Sequence, residues 1–166
     1  MKEKRVFLQL GSNRGDRITN LTRSKIMIRE RIGNTVSLSS VYESEPWGFT
    51  DEIFFLNQAM EIETFLEPEG IMQKILEIEH KLGRTRTEKG YSSRIIDIDI
   101  LFCENRIIHH AGLIIPHPLI RERRFVLVPL AEIAGDFIHP VFLRSVHDLL
   151  GSCPDRSFVR NIKYNG

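Results

Sequence analysis

A chain of 166 residues, 42% hydrophobic and 27% charged, has the length and composition of one soluble globular domain over 1–166, with core enough to need no disulfide or metal staple. Its formal net charge of +1, from 23 basic and 22 acidic side chains, supplies no global field to hold nucleic acid or a membrane surface. Cys103 and Cys153 have no metal-ligand spacing, and the apolar run after Met1-Lys2-Glu3-Lys4-Arg5 is too short for a signal segment or a membrane span. A cytoplasmic protein is expected.

Val6 to Leu10 reads as a first strand. The turn formers Gly11-Ser12-Asn13-Arg14-Gly15-Asp16 follow where a phosphate loop would sit, but they match neither G-x-x-x-x-G-K-[ST] nor G-x-G-x-x-G. A tight turn with Asp16 as helix N-cap is the better reading. Apolar Ile18, Leu21, Ile28 and Ile32 share one face of a helix from Arg17 to Ile32, with Gly33 as its C′ residue. Thr35 to Tyr42 alternates and reads as a second strand, with Val36, Leu38, Ser40 and Tyr42 on one face. Glu43 to Ile53, with Pro46, Trp47, Gly48 and Phe49, has no period and reads as a functional loop. Its Trp47, the single tryptophan, suits stacking on a flat ring and plugging a core edge equally well.

Phe54 to Thr64 reads as a third strand, with Leu56, Met60 and Ile62 opposite Glu61 and Glu63. Pro68 opens a second helix whose apolar face is Ile71, Met72, Ile75, Ile78 and Leu82, and Gly83 ends it. Ile95 to Phe102, dominated by β-branched and aromatic residues, reads as a fourth strand. The order is β-α-β-β-α-β, the split βαβ arrangement of ferredoxin-like α+β folds, with an antiparallel sheet and helices on one face.

Within the fourth strand, Asp97 and Asp99 fall on the same face, roughly 7 Å apart, against Ile96, Ile98 and Ile100. At an effective dielectric near 20 the two carboxylates repel by about 2 kcal/mol. A hard divalent cation such as Mg²⁺ reverses that sign. Arg84, Arg86 and Arg94 lie just upstream, and guanidinium forks bind phosphate oxygens bidentately. Carboxylates for metal beside arginines for phosphate describe a site for nucleotide phosphoryl transfer. On spacing alone, however, D-x-D is as well the polar face of a half-exposed strand.

Further on, Cys103 to Ile108 suggests a small hairpin turning at Glu104-Asn105. Ile115-Pro116-His117-Pro118 is extended. His117 sits beside Arg121-Glu122-Arg123-Arg124, where a satisfied loop histidine is the commoner outcome and a phosphate-facing donor the functional one. Phe125 to Ile133 reads as helical despite Pro129, residues from Phe137 as a short strand, and Ser145 to Leu150 as a terminal helix.

These residues together resemble the 6-hydroxymethyl-7,8-dihydropterin pyrophosphokinases of folate synthesis. The likeness runs through Leu10-Gly-Ser-Asn13, Gly15-Asp16-Arg17, Ser39-Ser40-x-Tyr42-x-x-x-Pro46 and Phe55-Leu-Asn57. It continues in Leu82-Gly-Arg84-x-Arg86, Arg94-x-x-Asp97-x-Asp99-Ile-Leu-Phe, Ile115-Pro-His-Pro118 and Arg123-x-Phe125-Val-Leu. These ordered blocks at similar intervals are far more specific than any one of them, and the family fold is ferredoxin-like.

The resemblance implies transfer of diphosphate from ATP to the pterin hydroxymethyl group, with AMP released. It implies two Mg²⁺ ions on Asp97 and Asp99, which with Arg84 and Arg94 form the catalytic set. It puts Glu79, Arg84, Arg86, Arg94, Ile100, His117 and Arg123 at ATP. It puts Ser44, Glu45, Trp47, Phe55, Asn57, Tyr91 and Phe125 at the pterin, with aromatics sandwiching the ring and Asn57 reading its polar edge. Three departures stand out: Tyr91-Ser92-Ser93 in place of Trp-Gly-Pro, Leu76 in place of an adenosine-contacting Gln, and Glu45 in place of Pro. The expected partners are the two small-molecule substrates, with no nucleic acid and no membrane, and the expected state is a monomer. The polar loop from Arg86 to Arg94 is expected to be mobile without ligand and to order over ATP. An RNA-binding module on this fold is disfavoured because Asp97 and Asp99 would repel phosphate. The nearer rival is a two-metal phosphohydrolase using the same Asp pair.

Overall fold

The computed structural model describes residues 1–84 and 94–163. In chain order the elements are β1 (Lys4–Ser12), α1 (Arg17–Arg31), β2 (Asn34–Leu38), β3 (Tyr42–Ser44), β4 (Phe55–Thr64), α2 (Pro68–Lys81) and β5 (Asp97–Cys103). Then come β6 (Ile108–His110), β7 (Leu113–Ile115), a 3-10 turn (Ile120–Glu122), α3 (Arg124–Ala134), α4 (Val146–Gly151) and β8 (Val159–Asn161). The main sheet runs β5-β1-β4-β3-β8 with β2 also on β4, and every pairing in it is antiparallel. Its core is the expected ferredoxin-like order. Among the described residues no helix is long and apolar enough to cross a membrane.

Both helices of the core start where the sequence says they should. Asp16 caps α1 by accepting the Thr19 N–H at 3.0 Å, which satisfies one of the four orphan donors of the first turn. Pro68 occupies the start of α2, where its missing N–H costs nothing. The ends differ. Gly83 has φ +97° and takes the left-handed C′ role after α2. Gly33 is there for a steric reason instead: a Cβ would lie 2.2 Å from the Glu63 carbonyl oxygen, so only glycine lets α1 turn into β2 against β4.

Alternation along the strands divides the interior in two. Val6, Leu8 and Leu10 of β1, Leu56, Met60 and Ile62 of β4 and Ile98 and Ile100 of β5 pack under α1 and α2. Phe7, Ala59, Leu101 and Phe102 face the other way and are covered by α3 and α4 through Val126, Leu127, Leu130, Val146 and Leu149. An irregularity opposite Phe7 and Leu8, where Phe102 and then Ile100 are the partners, lets Leu101 and Phe102 both serve that second face. The two helices of the core share one face, as expected, and the C-terminal helical extension supplies the second layer. Both faces are covered, but α3 and α4 cover only one end of the second.

Three local expectations are corrected. The single strand over Thr35 to Tyr42 is two, because the ladder ends at Ser39: its N–H still donates to the Ala59 carbonyl at 3.0 Å, but its buried hydroxyl accepts the Ala59 N–H at 2.9 Å and its carbonyl accepts Gln58 Nε2 at 2.7 Å. Its apolar side also fails to reach the core, with Val36 48% and Leu38 41% exposed while Val41 is buried. The hairpin lies one step later than expected, as β6 and β7, since β5 runs through Cys103 and bends at Glu104 (φ 51°). Near Phe137 only an Ile138–Ser145 bridge forms, and the additional strand is β8, on β3.

Candidate active site

The uncovered end of the second face is a cleft of about 340 Å³. Its floor is the polar and small half of three strands: Gln9 and Gly11 of β1, Phe55 and Asn57 of β4, and Asp97 and Asp99 of β5. Period-2 alternation puts them there, because Leu8, Leu10, Leu56 and Ile98 between them are pulled to the α1/α2 side. Gln9 marks the border with the apolar half, where its Nε2 donates to the Phe125 carbonyl at 3.1 Å. Gly11 leaves floor space: a Cβ there would meet Asn57 Oδ1 and the Phe55 ring at 3.6 Å.

One end of the cleft is cationic. Arg84, Arg94, His117 and Arg123 line it with the two aspartates. Buried Arg84 leaves the end of α2 and its Nη1 donates to Asp97 Oδ1 at 2.7 Å and to the buried Glu79. Glu79 Oε2 also accepts the Ile98 N–H at 3.0 Å, tying α2 to β5. The Arg94 backbone is clamped by Asn13, whose N–H donates to the Arg94 carbonyl at 3.0 Å and whose Oδ1 accepts the Arg94 N–H at 2.7 Å. Asn13 Nδ2 donates to the Ile53 carbonyl at 3.2 Å. A backbone bond from His117 N–H to the Leu101 carbonyl, 3.0 Å, lays the Pro-His-Pro segment along β5.

Two pKa shifts follow. Asp99 is raised well above the ordinary carboxylate range by burial first and by the Asp97 charge second, with Arg123 opposing. His117 is lowered to about 4, by burial and then by Arg123. It is thus neutral at pH 7. Its Nδ1 accepts the Leu119 N–H at 3.2 Å, so the proton belongs on Nε2, which makes that nitrogen a donor.

The other end is aromatic. Trp47, Phe49, Phe55 and Phe125 line it with Ser44 and Glu45. Phe49 meets Phe55 edge-on at 6.1 Å, and the Arg123 guanidinium lies 4.6 Å from the Trp47 ring centre. Asn57 Nδ2 donates to Ser44 Oγ at 2.7 Å, which fixes the amide and directs its oxygen to the side where Gly11 leaves room. Arg17 Nη1 holds the loop base, donating to Glu43 Oε2 at 2.9 Å and to the Phe54 carbonyl at 2.8 Å.

The structure thus gathers Arg84, Arg94, Asp97, Asp99, His117, Arg123, Ser44, Glu45, Trp47, Phe55, Asn57 and Phe125 around one space. Glu79 stands one link behind Arg84, 1% exposed, and the Ile100 side chain is buried under α1 and α2. Arg86 and Tyr91, with most of the loop from Arg86 to Arg94, lie outside the described residues. Sequence reasoning missed Gln9, Gly11, Phe49, Pro118 and Leu119 as lining. The signal for the first two was a polar and a small residue at alternate positions of an apolar strand.

Among the described residues no group of three or more His, Cys, Asp or Glu could hold a metal unaided. Two carboxylates in a cleft, one of them raised by burial and then by the other's charge, still suit a hard cation that takes its remaining ligands from phosphate and water.

The family model described as 7,8-dihydro-6-hydroxymethylpterin-pyrophosphokinase (HPPK) matches residues 7–135. The 2-amino-4-hydroxy-6-hydroxymethyldihydropteridine pyrophosphokinase of Methylorubrum extorquens is 44% identical over 135 residues, 81% of this chain and 85% of that protein. Its Bacillus subtilis namesake is 44% identical over 129 residues, 77% of each. Among solved structures, a triple-mutant HPPK-DHPS of Plasmodium falciparum aligns with a TM-score of 0.75 at 18% identity, over 90% of this chain and 44% of that one. This chain spans less than half the length of that chain, and at such identity the likeness shows the fold alone.

Proposed function

Because this chain belongs to the 7,8-dihydro-6-hydroxymethylpterin-pyrophosphokinase family, we propose that it transfers the βγ-diphosphate of ATP, as a unit, to the hydroxymethyl group of 6-hydroxymethyl-7,8-dihydropterin, giving AMP and the pterin diphosphate. The chain is accordingly an ATP-dependent diphosphokinase of folate biosynthesis. The observation that carries the detailed reading is the two-ended cleft, with cations and a carboxylate pair at one end and an aromatic slot with a fixed amide at the other.

At the polyphosphate end, Arg84, Arg94 and Arg123 neutralise charge on the phosphate oxygens and His117 Nε2–H donates to one of them. Asp97 and Asp99 would hold Mg²⁺, which when bound supplies charge neutralisation and draws phosphate oxygens toward the pair. Glu79 serves from behind, fixing the Arg84 guanidinium. At the pterin end, Phe55 and Phe125 sandwich the ring, Asn57 Oδ1 reads its polar edge, and Trp47 with Phe49 shields the slot from water. Such a site acts mainly by positioning and preorganised charge.

Product analysis after incubation with ATP, Mg²⁺ and 6-hydroxymethyl-7,8-dihydropterin tests this. AMP and pterin diphosphate in equal amounts are expected. ADP with a monophosphorylated pterin, or ATP consumption that needs no pterin, overturns the reading, and the latter result would favour a phosphohydrolase.

A further inference from the structure

The family model ends at residue 135, yet the segment after α4 returns to the cleft and touches both of its walls. On one wall, α3 begins between two lining residues, Arg123 and Phe125, and Arg123 gives it no side-chain cap. Asp155 supplies one from 31 residues downstream: its Oδ2 accepts the Arg124 N–H at 3.0 Å, while Oδ1 accepts the Ser157 N–H at 2.9 Å. A carboxylate there satisfies an orphan donor and complements the helix dipole. On the other wall, β8 pairs with β3 in the register Glu43 to Arg160 and Ser44 to Val159. Arg160 Nη2 donates to Glu43 Oε1 at 2.9 Å, and the Phe158 N–H reaches Glu45 Oε1 at 3.4 Å. Glu43 and Glu45 flank Ser44, the residue that fixes the Asn57 amide.

We propose that residues 155–160 form a strap joining the two walls of the cleft and setting the width of its ring slot, with Asp155 and Arg160 as positioning residues for pterin binding. The inference rests on the reading of the aromatic end as the pterin site. Six residues span from the α3 N-terminus to the middle of β3, so movement of either wall is carried to the other through a short extended chain. A strap anchored at two ends has a signature that two separate structural contacts lack. Once one anchor is released, the other no longer relays position, so removing both adds little.

The test titrates 6-hydroxymethyl-7,8-dihydropterin into the full chain, saturated with Mg²⁺ and a non-hydrolysable ATP analogue, for the parent, Asp155→Ala, Arg160→Met and the double variant. Each single change is expected to raise the pterin Kd about three- to tenfold, the scale of a lost helix cap. The double variant should be no weaker than the poorer single, and Asp155→Asn should fall between parent and Asp155→Ala. Single variants that bind like the parent, or losses that multiply in the double, overturn the strap. If Asp155→Ala does not fold, Asp155→Asn with Arg160→Met carries the same cycle. A parent chain that binds no pterin overturns the proposed function, and this inference with it.

Discussion

Arg84 Nη1 donates to Asp97 Oδ1 across 2.7 Å, so the protein itself compensates one carboxylate of the cleft pair, and the other, Asp99, carries the raised pKa. The pair is symmetric in sequence and asymmetric in space.

Neutralising the two should therefore have opposite effects on the metal-free protein. Asp97→Asn removes one of the two carboxylate partners of the buried Arg84 guanidinium, the other being Glu79, and should cost about 1–2 kcal/mol, discounted for the partial exposure of Asp97. Asp99→Asn removes a disfavoured charge and should leave stability unchanged or raise it by up to about 2 kcal/mol at pH 7. Thermal melts in chelator decide, and equal losses in both variants would be the contrary result. Because the folded Asp99 pKa is raised, its penalty is absent below the unfolded value and grows as pH rises toward the folded one, so the Asn gain should vanish near pH 4. Turnover with Mg²⁺ should fall by orders of magnitude in both.

His117 gives a second pH signature, with the sign reversed in direction of travel. Its folded pKa of about 4 lies below the unfolded 6.5, so the folded state loses stability as pH falls between those values. The loss should approach about 3 kcal/mol. Urea melts from pH 7 to pH 4 on wild type and His117→Asn measure it, since Asn keeps an acceptor for the Leu119 N–H and cannot take up the proton. Parallel curves for the two proteins would contradict the burial argument.

Glu79→Gln tests the link behind Arg84. It leaves Arg84 with Asp97 alone and weakens a buried charge-assisted hydrogen bond, which should cost about 1.5–3 kcal/mol, and the loosened guanidinium should lower kcat more than it raises the pterin KM. Loss of stability with unchanged kinetics would reduce Glu79 to a structural role.

Asn57→Ala addresses the other end of the cleft. It deletes the amide fixed by Ser44, and a slot built to hydrogen-bond a ring edge should lose about 10- to 100-fold in pterin kcat/KM, while affinity for an ATP analogue stays near wild type. An equal loss for both substrates would place Asn57 in general folding instead.

Features with short-range causes were legible in the sequence. Helix periods, the Asp16 cap, Pro68 and Gly83 set α1 and α2, and strand alternation put Asp97 and Asp99 on one face. The quoted family blocks named most of the residues that line the cleft. Tertiary structure decided what depends on contacts across the chain. It alone leaves Val36 and Leu38 outside, on a β2 that pairs only with β4 at the sheet edge. It alone assigns Arg84 to Asp97, so that two like carboxylates become unlike. It brings Asp155 and Arg160 to walls 31 and 117 residues away, which no local period encodes. And it stops α3 and α4 short of the end of the sheet, because their apolar partners Phe7, Ala59 and Phe102 give way to Gln9, Asn57 and Asp99. Helices cover the sheet only as far as there is apolar surface to bury, and the cleft begins where that surface ends.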